Sequence, residues 1–339
     1  MKSRLTPVLW LTMFFVLTLA PSCQKSFHQE NERYVFVSSN IALPYWQEAQ
    51  LGFKDAARTL GVKEDFVGPD TYDPAAELDA FQKAVAQHPS GILIAPARPD
   101  TFNAAIDDAV NQGIPVITVD TDAPSSHRVL FIGTDNRRAG NESGSHMAAL
   151  LNGQGTVVIV AIPGQLNQDE RIAGAKEALA SSGRIKLRPV LDDKGDPRSA
   201  NDQISSLMAQ KEKIDGILCL EASGGPGTAE ALHRLNLEGQ IRIVAFDKNP
   251  ETLDWISNGV ISGTTAQKPY TMSYYGLKFL DDLHHNIVRE FKDWRNAPAS
   301  PLPTRVDTGT AWVDKSNVAA FKEAESSAIK SPGGAAGTQ

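Results

Sequence analysis

The sequence has little cysteine and no excess of basic charge. Cys23 and Cys219 are its 2 cysteines. Because only Cys219 lies inside the predicted folded part, we expect no disulfide and a small buried thiol at that position. Aspartate and glutamate number 40 against 33 lysines and arginines. The charge balance therefore offers no electrostatic reason to expect a nucleic-acid partner.

Common enzyme motifs are also missing. No G-x-G-x-x-G follows the first predicted strand, and "SGGPG" at 223–227 opens a helix without the required spacing. The nucleophile motif G-x-S-x-G is absent. The 7 histidines are scattered, and His284 and His285 fall in a polar helical stretch. We therefore expect no metal site, no cofactor and no enzymatic activity.

The amino terminus has the residue order of an export signal. Lys2 and Arg4 precede the apolar run Val8–Ala20, and small residues follow it. The run of 13 residues is short for a membrane span, which needs about 20, although a membrane-anchor helix is the alternative. We predict a signal peptide over residues 1–22 and a linker over 23–32.

The residues around Cys23 suggest how the exported chain is processed. The hexapeptide "LAPSCQ" resembles the lipobox of bacterial lipoproteins, in which the cysteine is acylated and becomes the first mature residue. Pro21 departs from the usual pattern, so ordinary cleavage after "APS" is the other interpretation. The mature protein is then either lipid-anchored through Cys23 or released.

The predicted folded part contains two copies of one α/β unit. From Tyr34 to Asp247, apolar strand-like runs alternate with helical patterns, as in a doubly wound parallel sheet. The stretch 91–120, "GILIAPARPDTFNAAIDDAVNQGIPVITVD", is matched at 216–247 by "GILCLEASGGPGTAEALHRLNLEGQIRIVAFD". In both copies an Asp-Pro pair opens an earlier helix, with Asp as the cap and Pro in the first turn.

Each copy also closes a strand with an aspartate. Asp120 ends "VITVD" and Asp247 ends "IVAFD", and open α/β sheets bind their ligands at this carboxyl edge. Either residue alone could be a turn or cap residue, but equivalent positions in both copies favour a shared role. If the two units face each other, both carboxylates lie in one cleft.

With these features the sequence resembles the periplasmic sugar-binding proteins of ABC transporters, of the ribose-binding type, which share their fold with the cores of bacterial sugar repressors. The resemblance covers residues 33–320 through segments such as "VSSNIALPYW", "FIGTDNRRAG", "ERIAGAKEAL" and "GTTAQKPYTMSYYG". It implies two doubly wound α/β lobes, 33–134 plus 268–297 and 135–267 plus 298–320, joined by a three-crossing hinge.

The hinge and the chain end follow from the same resemblance and from composition. Crossings are expected near Thr134–Asn136, Gln267–Pro269 and Ala297–Ser300. Residues 321–339 are small and polar, and we expect them to form a disordered tail.

The resemblance implies a function as well. It indicates a periplasmic, monomeric protein that captures a monosaccharide by hinge closure and delivers it to a membrane permease. A chemoreceptor or quorum-signal binding protein of the same fold is an alternative, and a sugar-active enzyme is a less favoured one. A DNA-binding repressor would need a helix-turn-helix where this chain has an export signal.

The family's binding residues can be carried onto this chain. Tyr45 and Trp46 follow Pro44 and take the positions of the rings that contact the apolar faces of the sugar. The polar positions implied around the ring edge are Ser39, Asn40, Asp120, Arg171, Asp247 and Gln267.

The chain departs from the ribose binders in a few places. Thr121 and Asp122 stand where an Arg is usual, Glu221 replaces an Asn, and Gly195 replaces an aromatic residue. One hypothesis places Asp122 and Glu221 in the cleft, so that neutral or amino sugars are accepted and acidic sugars rejected. The alternative has Asp122 capping a turn and Glu221 pairing with a nearby basic residue.

Overall fold

The computed structural model describes residues 27–29, 31–288, 290 and 293–330. The predicted signal peptide, Cys23 and the residues from 331 onward lie outside this part. Within it, no helix combines the length and the apolar character that a membrane crossing requires.

The first lobe is built on a parallel sheet. Its strands are β1 (Arg33–Val37), β2 (Lys63–Val67), β3 (Gly91–Ile94), β4 (Val116–Val119), β5 (Leu130–Gly133) and the late strand β12 (Arg305–Asp307). Their order across the sheet is β12-β5-β4-β3-β1-β2. The central runs are rich in Val, Ile and Leu and are buried throughout, because helices cover both faces of a parallel sheet.

The second sheet repeats this arrangement. Its strands are β6 (Gln154–Ala161), β7 (Arg184–Leu187), β8 (Leu191–Asp192), β9 (Gly216–Cys219), β10 (Arg242–Phe246), β11 (Gly263–Ala266) and β13 (Ala311–Asp314). Their order is β13-β11-β10-β9-β6-β7, with β8 also on β6 and the late strand β13 antiparallel to β11. The predicted fold of two similar doubly wound lobes is confirmed.

Helices cover both sheets. Those of the first lobe are α1 (Pro44–Leu60), α2 (Pro74–Val85), α3 (Pro99–Asn111) and α9 (Pro269–His284). Those of the second are α4 (Asn136–Leu150), α5 (Leu166–Ser181), α6 (Pro197–Ala209), α7 (Gly224–Arg234), α8 (Pro250–Ser257) and α10 (Val318–Lys330). Asp73 and Asp196 cap α2 and α6 through backbone N–H groups, each before a proline, as the Asp-Pro pairs predict.

The first two passages between the lobes lie at strand ends. β5 ends at Gly133 in the first sheet, and α4 begins at Asn136 against the second. β11 ends at Ala266 in the second sheet, and α9 begins at Pro269 against the first. Thr134 and Gln267 therefore lie in neighbouring connections, where Thr134 Oγ1 donates to Gln267 Oε1 at 2.7 Å.

The third passage corrects the position expected from the sequence. β12 pairs in parallel with β5, so the chain is still in the first lobe well beyond the expected crossing at 297–300. It leaves after Asp307 and enters β13 at Ala311. The physical reason is the open edge of β5, whose backbone groups gain partners from β12. The second lobe's final segment therefore starts near residue 308 rather than at 298.

The first part of the expected disordered tail is helical. The sequence predicts disorder over residues 321–339, but α10 continues to Lys330, and residues 331–339 lie outside the described part of the chain. Phe321 packs against the apolar core of the second lobe beside the buried Val318. Burial of this ring supplies part of the free energy that orders the helix.

Glycine allows α4 and α5 to pack with their backbones in close contact. A Cβ on Gly140 would lie 2.1 Å from the carbonyl oxygen of Arg171, and one on Gly174 would lie 1.9 Å from that of Arg137. Both distances are far below van der Waals contact, so only glycine fits. This packing positions the helix that carries Arg171 over the cleft.

Candidate ligand-binding cleft

The cleft lies where the carboxyl ends of both sheets meet. Asp120 follows β4 and Asp247 follows β10, and their φ angles, 62° and 65°, are both in the left-handed region. Aspartate tolerates this conformation better than most residues, and such strain is commonly retained at functional sites. Both side chains are buried and line the same cavity. The duplicated aspartates thus converge as their positions predict.

Asp120 receives hydrogen bonds from both lobes. From its own lobe, Tyr45 OH donates to Oδ1 at 2.6 Å and Thr121 Oγ1 donates to Oδ2 at 3.3 Å. From the second lobe, Asn167 Nδ2 donates to Oδ2 at 2.9 Å, and Nη2 of Arg171 lies 3.9 Å from Oδ1. Burial raises the pKa of Asp120, and Arg171 and the donors oppose that rise. Asp120 therefore links the two lobes.

Arg171 is held rigidly from several sides. Its Nε donates to Asn136 Oδ1 at 2.8 Å, Nη1 to the carbonyl oxygen of Leu220 at 3.0 Å, and Nη2 to Gln267 Oε1 at 2.8 Å. The guanidinium carbon lies 4.2 Å from the ring centroid of Phe246, a cation–π contact. The residue is 2% exposed. The planar guanidinium of Arg171 is thus fixed in orientation before any ligand enters.

Gln267 connects the second aspartate to the hinge. Its Nε2 donates to Asp247 Oδ1 at 3.0 Å, while its Oε1 accepts from Thr134 and Arg171. Burial raises the pKa of Asp247 to about 7, although Arg171 and Gln267 lower it. The side-chain amide of Gln267 therefore connects the first two passages between the lobes with the Arg171 guanidinium and the Asp247 carboxyl group.

Tyr45 and Trp46 lie at the start of α1, directly after Pro44. Their rings meet edge to face with centroids 5.0 Å apart, and Trp46 also contacts the core ring of Phe36. Both line the cavity. Burial raises the pKa of Tyr45 well above its ordinary value, so its hydroxyl stays protonated and donates to Asp120. Tyr45 thus supplies both a ring and a polar contact.

The cavity encloses about 510 Å³ of empty space, its open mouth included. The predicted site residues that line it are Ser39, Asn40, Tyr45, Trp46, Asp120, Arg171, Glu221, Asp247 and Gln267. Lining residues that the sequence analysis missed include Tyr72, Ile162, Gln165, Asn167 and Gln168. Asn167 precedes Arg171 by one helical turn on α5, so helical spacing from Arg171 was a signal that could have identified it.

Asp122 is the predicted site residue that does not line the cavity. Arg128 donates to both of its carboxylate oxygens, with Nε at 2.6 Å and Nη2 at 2.7 Å. Thr118 Oγ1 and the backbone N–H of Ala123 donate to Oδ1. A bidentate pair fixes the carboxylate firmly. Its expected role as a ligand contact is therefore corrected: Asp122 holds the loop between β4 and β5.

Glu221 borders the cavity, but its carboxylate points to the amino-terminal end of a helix. Its Oε2 accepts from the backbone N–H of Ser223 at 2.7 Å, and its Oε1 accepts from that of Gly224, at the start of α7. Negative charge is stabilised at a helix amino terminus. Burial and the charge of Glu221 raise the pKa of the neighbouring Asp193 to about 11. Asp193 is therefore favoured in its neutral form beside Glu221.

We expect Asp247→Asn to change how stability depends on pH. Because burial raises the folded-state pKa of Asp247 from 3.8 to about 7, the neutral carboxyl is favoured in the fold. The stabilisation that the neutral Asp247 carboxyl gives the folded state is complete below about pH 4 and is lost as the pH rises through about 7. Between about pH 5 and pH 8 the ligand-free wild type should lose unfolding free energy, and Asp247→Asn should lose less. Urea unfolding measures both.

The exposed Asp202 offers a matched control for this comparison. Asp202→Asn should follow the wild-type pH profile. Parallel profiles for the wild type and Asp247→Asn would contradict the assigned role of burial at Asp247.

Two similar lobes, hinge connections and a buried polar cleft lined by aromatic rings define a two-lobed ligand-binding protein. The chain belongs to the periplasmic binding protein family, since the family model described as a periplasmic binding protein domain matches residues 34–285. This family consists of binding proteins, so the chain is a binding protein and not an enzyme, and its location is periplasmic.

Individual proteins are similar over most of the chain. A sugar ABC transporter (sugar-binding protein) from Bacillus halodurans is 35% identical, with a TM-score of 0.77 over 86% of this chain and 100% of that one. The arabinose binding protein AraP from Geobacillus stearothermophilus is 33% identical, with a TM-score of 0.73 over 86% and 99%. The D-allose-binding periplasmic protein of Escherichia coli is 26% identical over 74% of this chain and 83% of its own length.

Proposed function

We propose that the protein captures a neutral monosaccharide between its lobes and delivers it to the permease of an ABC importer. The observation that carries this proposal is the clamp formed by Asp120, Arg171 and Asp247. Two carboxyl groups from opposite lobes can accept hydrogen bonds from sugar hydroxyl groups, and a fixed guanidinium can donate hydrogen bonds to sugar oxygens. Similar proteins that are named for binding arabinose and D-allose support the same ligand class.

Closure of the lobes on the ligand is part of the proposal. Asn167 and Lys248 of the second lobe bond to Asp120 and Glu48 of the first, with N···O distances of 2.9 and 2.5 Å. A ligand that contacts both aspartates would stabilise this closed arrangement, because it binds one conformation better than the other.

The charges of the cleft favour a neutral ligand over an acidic one. Asp120, Asp247 and Glu221 border the cavity together with Arg171. The Glu221 carboxylate is already bonded to two backbone N–H groups, so an ammonium group on the sugar is not needed there. A negatively charged sugar would be repelled by these acidic groups in a desolvated cleft, and this repulsion costs several kcal/mol. We therefore propose that neutral sugars bind, and that amino sugars are not preferred.

A matched series of sugars tests this ligand class. Calorimetry should detect binding of a neutral pentose or hexose, no tighter binding of its amino form, and no binding of the matching uronic acid or sugar phosphate. A bound neutral sugar at about 100 times its Kd adds about 2.7 kcal/mol to the unfolding free energy, and small-angle scattering should show compaction. Preferential binding of an acidic sugar would contradict the proposal.

The proposal extends to the exported form. It includes removal of a signal peptide over residues 1–22, action as a monomer, and a lipid anchor on Cys23. The mass of the mature amino-terminal peptide distinguishes an acylated Cys23 from a free terminus.

A further inference from the structure

Two histidines and two acidic residues converge at the end of the first lobe that is opposite to the cleft. His28 and Glu32 precede β1, Asp281 lies in the last turn of α9, and His285 directly follows that helix. One ligand atom from each lies within 4.8 Å of the other three. Histidines that are scattered along the sequence are therefore brought together by the fold.

Several spacings in this cluster are close to those of ligand atoms around a tetrahedral ion, and the four ligand atoms all lie within 4.8 Å of one another. His28 Nε2 lies 3.1 and 3.2 Å from the two Asp281 oxygens, and His285 Nε2 lies 3.0 Å from Glu32 Oε2. His285 Nε2 is 3.6 Å from Asp281 Oδ1. A zinc ion with bonds of about 2.0–2.1 Å separates its ligand atoms by about 3.3 Å. Imidazole nitrogen and carboxylate oxygen are both ligands that zinc accepts.

Each carboxylate has one oxygen held by the protein. Tyr34 OH donates to Asp281 Oδ1 at 2.9 Å, and the backbone N–H of Gln29 donates to Glu32 Oε1 at 2.7 Å. Both Asp281 oxygens lie near His28 Nε2, and Glu32 Oε2 lies near His285 Nε2. Metal sites characteristically orient their ligands by such outer hydrogen bonds.

The surroundings of the cluster also fit a bound cation. Glu32 and Asp281 are 4% and 3% exposed, and two buried carboxylates so close together require positive charge. The Phe27 ring stacks on His285 with centroids 4.3 Å apart and covers one side.

We propose that His28, Glu32, Asp281 and His285 bind one zinc ion, which fastens the segment before β1 to the end of α9. The ion would join parts of the chain separated by 253 positions. Because it lies at the amino end of β1, its role is structural and separate from sugar binding at the carboxyl ends of the strands. In the competing arrangement, the two histidines contact the two carboxylates without a metal ion.

Zinc titration of the full chain, purified without a polyhistidine tag and stripped with EDTA, tests the proposal. A competing chromophoric chelator should report one zinc per chain with a submicromolar Kd. His28→Ala and His285→Ala should each weaken zinc affinity at least 100-fold, since losing an outer hydrogen bond alone costs about 10- to 100-fold. Tyr34→Phe should weaken it about 10-fold.

The controls separate metal binding from folding and from the proposed function. His127→Ala, at a side chain 71% exposed, should leave zinc affinity unchanged. Zinc should raise the melting temperature of the wild type and not that of His285→Ala, while the circular dichroism and sugar binding of both remain alike. Absence of stoichiometric zinc binding, or its retention in both histidine variants, would overturn the proposal and identify the cluster as ion pairs.

Discussion

Replacing Arg171 by methionine is expected to weaken sugar binding by about 100-fold or more. The guanidinium is the cation that faces Asp120 in the cavity, and it also donates to Gln267 and to the Leu220 carbonyl. Truncating one partner of a buried charged pair costs about 2–5 kcal/mol, because the groups it contacted stay buried without a partner. Calorimetry with the neutral sugar that binds the wild type measures this loss.

Matched variants separate the binding effect from a folding effect. Arg137→Met removes an arginine whose side chain is 60% exposed on α4, and it should bind sugar normally. Arg171→Met should also be less stable, since Asp120 loses its nearby positive charge. Adding Asp120→Asn to Arg171→Met should restore part of the stability and none of the binding. If Arg171→Met binds the sugar with an affinity within threefold of wild type, the proposed role of Arg171 in the clamp is wrong.

Gly174→Ala is expected to destabilise the second lobe by about 3 kcal/mol. The new Cβ would lie 1.9 Å from the carbonyl oxygen of Arg137, so α4 and α5 must separate. Overpacking of a tight contact costs about 1–3 kcal/mol, and more when backbone must move. Helix propensity alone predicts the opposite sign, since alanine is favoured over glycine by about 1 kcal/mol. Urea unfolding gives both the sign and the size.

Two further variants test whether the loss of stability depends on how close the added Cβ comes to the facing helix. Gly144→Ala brings a Cβ to 2.8 Å from the carbonyl oxygen of Ala175, so its cost should be smaller. Lys176→Ala changes an exposed position of α5 and should stay within about 0.5 kcal/mol of wild type. A more stable Gly174→Ala would show that the helices can separate freely.

Much of the fold follows from local patterns in the sequence. The Asp-Pro pairs at Asp73 and Asp196 start helices because capping and proline geometry act within one turn. The repeat of 91–120 at 216–247 predicts two equivalent sheets, and the strand orders match position for position. Asp120 and Asp247 converge because parallel strands end at the same edge of each sheet.

Neighbouring residues can nevertheless differ in role when only their long-range partners differ. Asp120 and Asp122 are two positions apart, but Asp122 points to Arg128 and Asp120 to the cleft. Glu221 borders the cleft while its carboxylate binds the start of α7. In each case a competing hydrogen-bond donor decides where a charged group points, and that donor is positioned by the backbone of the folded chain.

The sequence by itself determined the α/β units, their duplication and the two aspartates of the cleft, because these depend on periodicity and strand ends. Only the tertiary structure decided that β12 completes the first sheet, that α10 packs through Phe321, and that His28 meets Asp281 across 253 positions. Contacts of this kind depend on which surfaces the assembled lobes leave uncovered. No local pattern encodes them, because their energy arises only when distant segments are brought together.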